Sequence, residues 1–158
     1  MKYDSLTLAA SGLRFLLGWY MFFAGVEKVI NPEWTASGFL LGAKTFSAFY
    51  AWFAAPAQSV WVDPLNAWGI TLVGAALLLG LAVRPAAIAG AVLMILYYFP
   101  HNAFPYVPHG FIVEEHIIYA AAFILILIAL MPAAERPGLA YYARQSPLGR
   151  LPFLRRLL

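Results

Sequence analysis

Apolar residues along this chain come in blocks too long for the helices of an average soluble domain. A bilayer core is crossed by about 20 mostly apolar helical residues, with a range of roughly 17–25. Residues 6–26 fit that length and carry one charge, Arg14. Residues 66–83 form a second block, polar only at Asn66 and Thr71. A third covers 85–99, opening on Pro85 as a first helical residue, where the missing N–H has no helical partner to lose. It is short, so Tyr97-Tyr98-Phe99 is expected to serve as an interfacial belt. The fourth covers 111–131 and stops at Pro132. Arg84-Pro85 leaves room for a tight turn alone, which makes the second and third spans a hairpin.

Residues 36–55 are ambiguous, because they are long enough to span but hold Lys44 near the middle. Phe39, Phe46, Phe49 and Phe53 recur at helical spacing, as on an amphipathic helix lying in the interface. Charge decides. With four spans, Lys2, Arg84 and the five arginines beyond residue 135 fall on one side, and Lys28 and Lys44 on the other. That satisfies the positive-inside rule with both termini cytoplasmic. A fifth span would put Arg84 and the arginine-rich tail outside. The fold class expected is therefore an all-α, integral membrane four-helix bundle with an interfacial amphipathic helix between helices 1 and 2. Residues 1–134 would form the transmembrane domain and 135–158 a basic cytoplasmic tail resting on anionic lipid. The first span reads as a retained helix rather than a signal peptide, since Arg14 interrupts its apolar run.

Composition agrees. Hydrophobic residues are 63% and charged residues 11% of 158, and mean hydropathy is +0.78. A globule of this size has too little interior to hide so much apolar surface. The absence of cysteine excludes disulfide, thiolate-metal and iron–sulfur chemistry. A net charge of +3, unevenly placed, does not suit a nucleic-acid binder.

Helices in lipid associate through close packing and polar contacts. Small residues four apart (Ala76 with Gly80, Ala86 with Gly90, Ala87 with Ala91) are expected to bring the hairpin's two backbones together. On the first helix Arg14, Gly18, Met21, Gly25 and Lys28 share one face. Gly18 and Gly25 leave a groove there, for a partner helix or a flat ligand.

A charge within a span is expensive and is a functional hypothesis by default. The fourth helix opens with Glu114-Glu115-His116, and Tyr119 lies one turn further on. At 1.5 Å per residue Arg14 is about 18 Å below the outer end of its helix, too deep to meet Glu115. Glu27 or Lys28 can reach Glu115 and His116 more easily, and Asn66 belongs to the same outer layer. Under a roof of aromatics such as Trp34, Trp61 and Tyr98, this layer could bind a polar head whose tail lies in lipid, and move protons to it. A structural ion pair with ordinary helix capping explains the same residues. His101, His109 and His116 match no compact metal-ligand spacing, so no metal is expected. No haem, iron–sulfur or flavin site is implied, and no phosphate loop or Ser-His-Asp pattern is present.

The segments RFLLGWYMFFAGVEKVINPEW, GFLLGAKTF, WVDPLNAWGITLVGAALLLGLAVRPAAIAGAVLMILYYFP and FIVEEHIIYA together resemble the DoxX family. Within that family they resemble the DoxD-like subunits of thiosulfate:quinone oxidoreductase. The likeness runs from about residue 13 to 134 and implies a four-helix membrane subunit in quinone-linked electron transfer. By the resemblance, Arg14, Glu27 and Lys28 correspond to the family's first-helix residues, and Glu115, His116 and Tyr119 to the start of its last helix. Some relatives use cysteines in thiol chemistry, which this chain cannot do.

The resulting expectation is a quinone-binding subunit of a redox complex in a prokaryotic-type cell membrane. Glu115 and His116 would relay protons and Tyr119 would donate a hydrogen bond. Arg14, Gly18, Glu27, Lys28 and Asn66 would bind the cofactor, with its isoprenoid tail beside Gly18 and Gly25. Electrons would come from a substrate or from partner membrane or extracytoplasmic redox subunits. Membrane lipid is the other expected partner, and a homo-oligomer is left open. The competing reading is a non-catalytic bundle that anchors a larger assembly.

Overall fold

The chain's structure is a computed structural model that describes residues 4–128 and 138–145. Helix α1 (Ser5–Ile30) starts where the Asp4 side chain accepts a 2.9 Å hydrogen bond from the Thr7 N–H. That satisfies one of the donors every helix start leaves over. The buried residues of α1 (Thr7, Ala10, Arg14, Leu17, Gly18, Met21, Gly25) recur every three or four positions, a single stripe. Helix α2 (Ser37–Leu41) and helix α3 (Ser47–Ala54) are short and precede α4 (Pro56–Leu79) and α5 (Val83–His101). A two-residue β-hairpin, β1 (Tyr106–Val107) with β2 (Gly110–Phe111), leads to α6 (Glu115–Ile128), and α7 (Leu139–Gln145) follows.

The buried stripe of α1 packs along α4. A methyl added at Gly25 would collide with the backbone and hydroxyl of Thr71, and one at Gly74 with the backbone of Phe22. Gly18 sits against Leu77, Leu78 and the Gly74 carbonyl. The groove expected beside Gly18 and Gly25 is therefore filled by a partner helix, and no space remains in it for a ligand tail. Leu17, Met21, Ile70, Val73 and Leu77 complete this seam, and α5 and α6 close the core with Ala87, Met94, Phe123 and Ile126.

Helices α4 and α5 form the expected hairpin, but the turn comes earlier than Arg84-Pro85. Gly80 ends α4 with φ +64, and the Leu81 and Gly80 N–H groups bond back to the Ala76 and Leu77 carbonyls. This is a glycine-terminated helix end, in which the left-handed residue carries no Cβ penalty. Pro85 then falls in the first turn of α5, still among residues whose N–H has no helical acceptor. The small residues of the hairpin also serve other neighbours than expected. A methyl at Gly90 would strike the Phe123 ring of α6, and one at Gly80 the Arg14 guanidinium and Gly138. Arg14 is thus buried against the C-terminal, negative end of α4, a favourable place for a cation. Helix α7 docks at this same lower end, where the Ala140 N–H donates to the Gly80 carbonyl at 3.1 Å. The part of the basic tail beyond residue 145 lies outside the described residues.

At the opposite, upper end the single amphipathic helix expected over 36–55 is two helices with a break between them. The Lys44 N–H donates to the Pro100 carbonyl at 3.1 Å, the Thr45 hydroxyl to the Asn102 carbonyl at 2.6 Å, and the Phe104 N–H back to Thr45 Oγ1. These bonds pin the break to the end of α5, and Phe46 turns the chain with φ 54. Helix α4 also starts well before the expected residue 66, because Pro56 opens it and Pro64 is tolerated inside it. Asp63 faces the α1–α2 loop and accepts the Ala36 N–H at 2.9 Å. The α6 start is later than residue 111, since Phe111 pairs with Tyr106 in the hairpin. The expected end at 131 lies outside the described residues. Tyr98, expected in an interfacial belt, is 2% exposed and donates to the Ile112 carbonyl.

What the helices turn outward is as apolar as what they bury. Leu16, Phe23, Trp68, Leu72, Val92 and Ile118 are all exposed. An amphipathic helix in water turns polar residues outward; these face hydrocarbon. Helices α1, α4 and α5 are long and apolar enough to cross a bilayer. Helix α6, with 14 described residues, is a shorter apolar helix. The protein is a mostly helical membrane protein.

Candidate functional site

The upper end holds a cavity of about 280 Å³ between α1, α4, α5 and α6. Lys28 enters it from the last turn of α1, its Nζ donating to the Ala24 carbonyl at 2.9 Å and lying 5.6 Å from the Trp34 ring centre. Trp34 is held over this corner by its own N–H bond to the Asn31 carbonyl. From α4 comes Asn66, whose Oδ1 accepts the Tyr97 hydroxyl proton at 2.8 Å. His116, from the first turn of α6, stands edge-on to Tyr97 with ring centres 6.3 Å apart. Thr35, Ala36 and Phe39 complete the lining. One cation, one amide, one phenol and one imidazole therefore meet at an aromatic wall.

A second cavity, about 170 Å³, adjoins the first and shares Phe39, Asn66 and Tyr97 with it. Its remaining lining is almost wholly apolar: Phe49 and Phe53 of α3, Trp61 and Leu65 of α4, Leu93 and Leu96 of α5. Tyr50 also lines it, but its hydroxyl donates to the Leu96 carbonyl at 2.9 Å. Burial pushes the Tyr50 phenol above its ordinary value, so it stays a neutral donor. The break between α2 and α3 is what lets α3 lie against α4 and α5 as one wall of this space.

Behind His116 is Glu114. Its Oε2 accepts the His116 N–H at 3.2 Å as a cap on α6, and its Oε1 lies 2.7 Å from His116 Nδ1. Asn102 Nδ2 donates to the same Oε1 at 2.9 Å and to the Tyr98 carbonyl at 3.0 Å. Both neighbours are acceptors, which fixes the amide's orientation. Asn102 is 1% exposed, and its Oδ1 has no hydrogen-bond partner among the described residues. Burial by itself would raise the Glu114 carboxyl, yet the hydrogen bonds from His116 and Asn102 together hold it below its ordinary value. A depressed carboxylate contributes stability that is complete above its unfolded value and is lost as pH falls through the folded one. Glu114→Gln should therefore lower the melting temperature near neutral pH, and the gap from wild type should close as the pH falls below about 4.5. A gap independent of pH would contradict this. On the far side of Glu114, a cavity of about 310 Å³ is lined by His101, His109, Val113, Glu114 and Glu115, together with Val107 and Pro108 of the hairpin.

The residues expected at the site lie in several places. Lys28, Asn66 and His116 line one cavity. Glu115, exposed, lines the outer cavity instead, and Tyr119 packs on Tyr20 with ring centres 4.9 Å apart. Glu27 is exposed and lines neither cavity, while Arg14 and Gly18 belong to the α1–α4 seam. Tyr97, Asn102 and Glu114 belong to the site although the sequence pattern assigns them no role there. Tyr97 carries a signal, since it follows Leu93 by one helical turn on the face toward α4, but its position near the span end equally fits an interfacial belt. Among the described residues, donor atoms of Glu114, Glu115 and His116 lie within 4.8 Å of one another. Two of the three are already committed to each other by the 2.7 Å bond.

Fold and site thus define a polytopic-type helical membrane protein with a two-part cavity, polar and apolar, at one end. The chain belongs to the DoxX family, whose model matches residues 9–103. The match takes in Lys28, Asn66 and Tyr97 and ends before Glu114 and His116. No curated protein and no solved structure matches the chain.

Proposed function

We propose that this protein is a quinone-binding subunit of a membrane redox complex, similar to the DoxD-like subunits of thiosulfate:quinone oxidoreductase. The observation that carries the reading is the pair of adjoining cavities sharing Phe39, Asn66 and Tyr97. A ligand filling both must have a small polar head and an apolar tail. A cavity of about 280 Å³ is near the lower bound of small-molecule pockets, about 300 Å³, and suits a single flat ring system. Asn66, Tyr97, His116 and Lys28 would hold the oxygens of such a head, and the aromatics of α3 would cover its tail. Bound quinone supplies a two-electron carrier soluble in the bilayer; the chain's own residues bind it, orient it and handle its protons. Electrons would be exchanged with partner subunits or with a substrate at the membrane surface.

The proposal includes a fourth span continuing α6 and an orientation with the cavity end outside the cytoplasm. Supporting the orientation, Arg84 and Arg144 belong to the lower end and Lys28 and Lys44 to the upper. The complex would sit in a cell membrane, surrounded by lipid.

Tryptophan fluorescence tests the binding, since Trp34 lines the polar cavity and Trp61 the apolar one. Titrating the protein in nanodiscs with decylubiquinone should give saturable quenching with a dissociation constant of about 10 μM or below, equivalent to roughly −7 kcal/mol. Quenching that rises linearly with quinone in the lipid, without saturation, would leave a purely anchoring role.

A further inference from the structure

Resting on the quinone reading, we propose that His116 and Glu114 form a proton path between the polar cavity and the outer cavity beside His101 and His109. A direct hydrogen-bonded pair joins the two cavities: His116 lines the first, Glu114 lines the second, and Nδ1 and Oε1 are 2.7 Å apart. Glu115, next in sequence, has no hydrogen bond to His116 of this kind and faces outward. Glu114 is thus the relay residue, and it acts through His116.

Oε1 can only accept from a neutral His116 if Nδ1 carries the proton, which leaves Nε2 as the acceptor available to a ligand in the polar cavity. In the outward direction His116 takes a proton at Nε2 from a ligand hydroxyl, and its Nδ1 proton moves to Glu114. The carboxyl then releases a proton to water in the outer cavity, and the reverse sequence delivers one inward. One proton moves for each passage, and no electron is transferred. Asn102 positions the carboxylate for the exchange. Its Nδ2 holds Oε1 at 2.9 Å, and its buried Oδ1 has no partner among the described residues.

Other groups set the electrostatic surroundings of the pair. On α6 these are Glu115 and His116 itself; on α5 His101, Tyr97 and Tyr98; on the hairpin His109; and on α1 Lys28 and Tyr20. Lys28, lining the polar cavity, is the cation on the ligand's side, and Glu114 and Glu115 are the anions on the water side. That gradient favours release of a proton outward.

The test uses a 2-hydroxy-3-alkyl-1,4-naphthoquinone, whose visible absorption changes when its hydroxyl ionises. The full chain in nanodiscs is held in excess over the probe, and the colour change after a rapid drop in pH is followed by stopped flow. The wild type is expected to respond in one fast phase. Glu114→Gln should slow it by about tenfold or more while probe affinity stays within about threefold. Glu115→Gln, which removes one anion of the outer cavity but no link to His116, should slow it by less than about threefold. Glu114→Asp, which keeps a carboxylate at the helix start but shortens its reach to Nδ1, should be slowed by several-fold, and it carries the test where the Gln variant does not fold. Intact binding with unchanged rates in the Glu114 variants, or equal slowing by Glu115→Gln, would overturn the path alone. Absence of saturable probe binding by the wild type would overturn the quinone reading, and the path with it.

Discussion

Asn66→Leu should weaken decylubiquinone binding by about tenfold or more, the largest loss expected from any single uncharged residue. Asn66 lines both cavities and accepts the Tyr97 hydroxyl at 2.8 Å. A leucine there removes one hydrogen-bonding partner of the ligand and leaves the Tyr97 hydroxyl without its acceptor. A ligand oxygen left buried without its donor costs about 1–3 kcal/mol, and about 1.4 kcal/mol is a factor of ten in affinity; the stranded Tyr97 hydroxyl costs stability instead. Tyr97→Phe should recover part of the stability lost by Asn66→Leu, because the double change removes both partners rather than one. Titration of the two single variants and the double variant by tryptophan quenching checks this, with thermal melts alongside. An Asn66→Leu protein that binds the quinone with wild-type affinity would remove the amide from the site.

The second large effect concerns folding. Gly74→Leu should prevent α1 and α4 from reaching their present separation, since even a methyl at this position meets the Phe22 backbone. Overpacking of a well-filled core costs about 1–3 kcal/mol, and more where backbone must move. Here the obstruction is backbone on both sides, so no side-chain rotation relieves it. We expect loss of monodisperse protein in mild detergent, or a melting temperature lower by about 10 °C or more. Gly38→Leu, at a glycine with open space around it, is the matched control and should leave the melt unchanged. Equal behaviour of the two variants would contradict the seam.

Much of this arrangement was legible in the chain. Apolar length located α1, α4 and α5, and depth arithmetic separated Arg14 from the layer of Lys28, Asn66 and His116. What was hidden depended on tertiary contacts. Asp63-Pro64 looks like a loop, yet it lies within α4 because Pro56 opens the helix earlier and Asp63 binds the Ala36 N–H. The break at Lys44–Phe46 is made by bonds to Pro100 and Asn102, more than fifty positions away, so local periodicity could not register it. Gly18 and Gly25 announce close approach but not what approaches; the neighbour is α4. Glu114 and Glu115 differ by one residue and no composition rule separates them. Which one meets His116 is decided by which one caps α6, and that is Glu114.

Tyr97 gives a further lesson about the site. Aromatics near the end of a span are commonly interfacial anchors, and Tyr97-Tyr98-Phe99 fits that pattern by position. In the fold, Tyr98 is a core residue bonded to Ile112, and Tyr97 is the hinge between two cavities. The distinction comes from the upper-end segments, α2, α3 and the hairpin, which cover what would otherwise be the lipid–water boundary. Those segments turn an aromatic girdle into the lining of a pocket.

Photolabelling with an azido-quinone followed by peptide mass spectrometry tests the two-part site most directly. Label borne on the head or early tail is expected on Phe39, on the α4 segment carrying Trp61 and Asn66, and on the α5 segment carrying Leu93 and Tyr97, with unlabelled decylubiquinone competing it away. Label confined to the exposed faces around Phe23 and Trp68, and insensitive to competition, would contradict a quinone site between these helices.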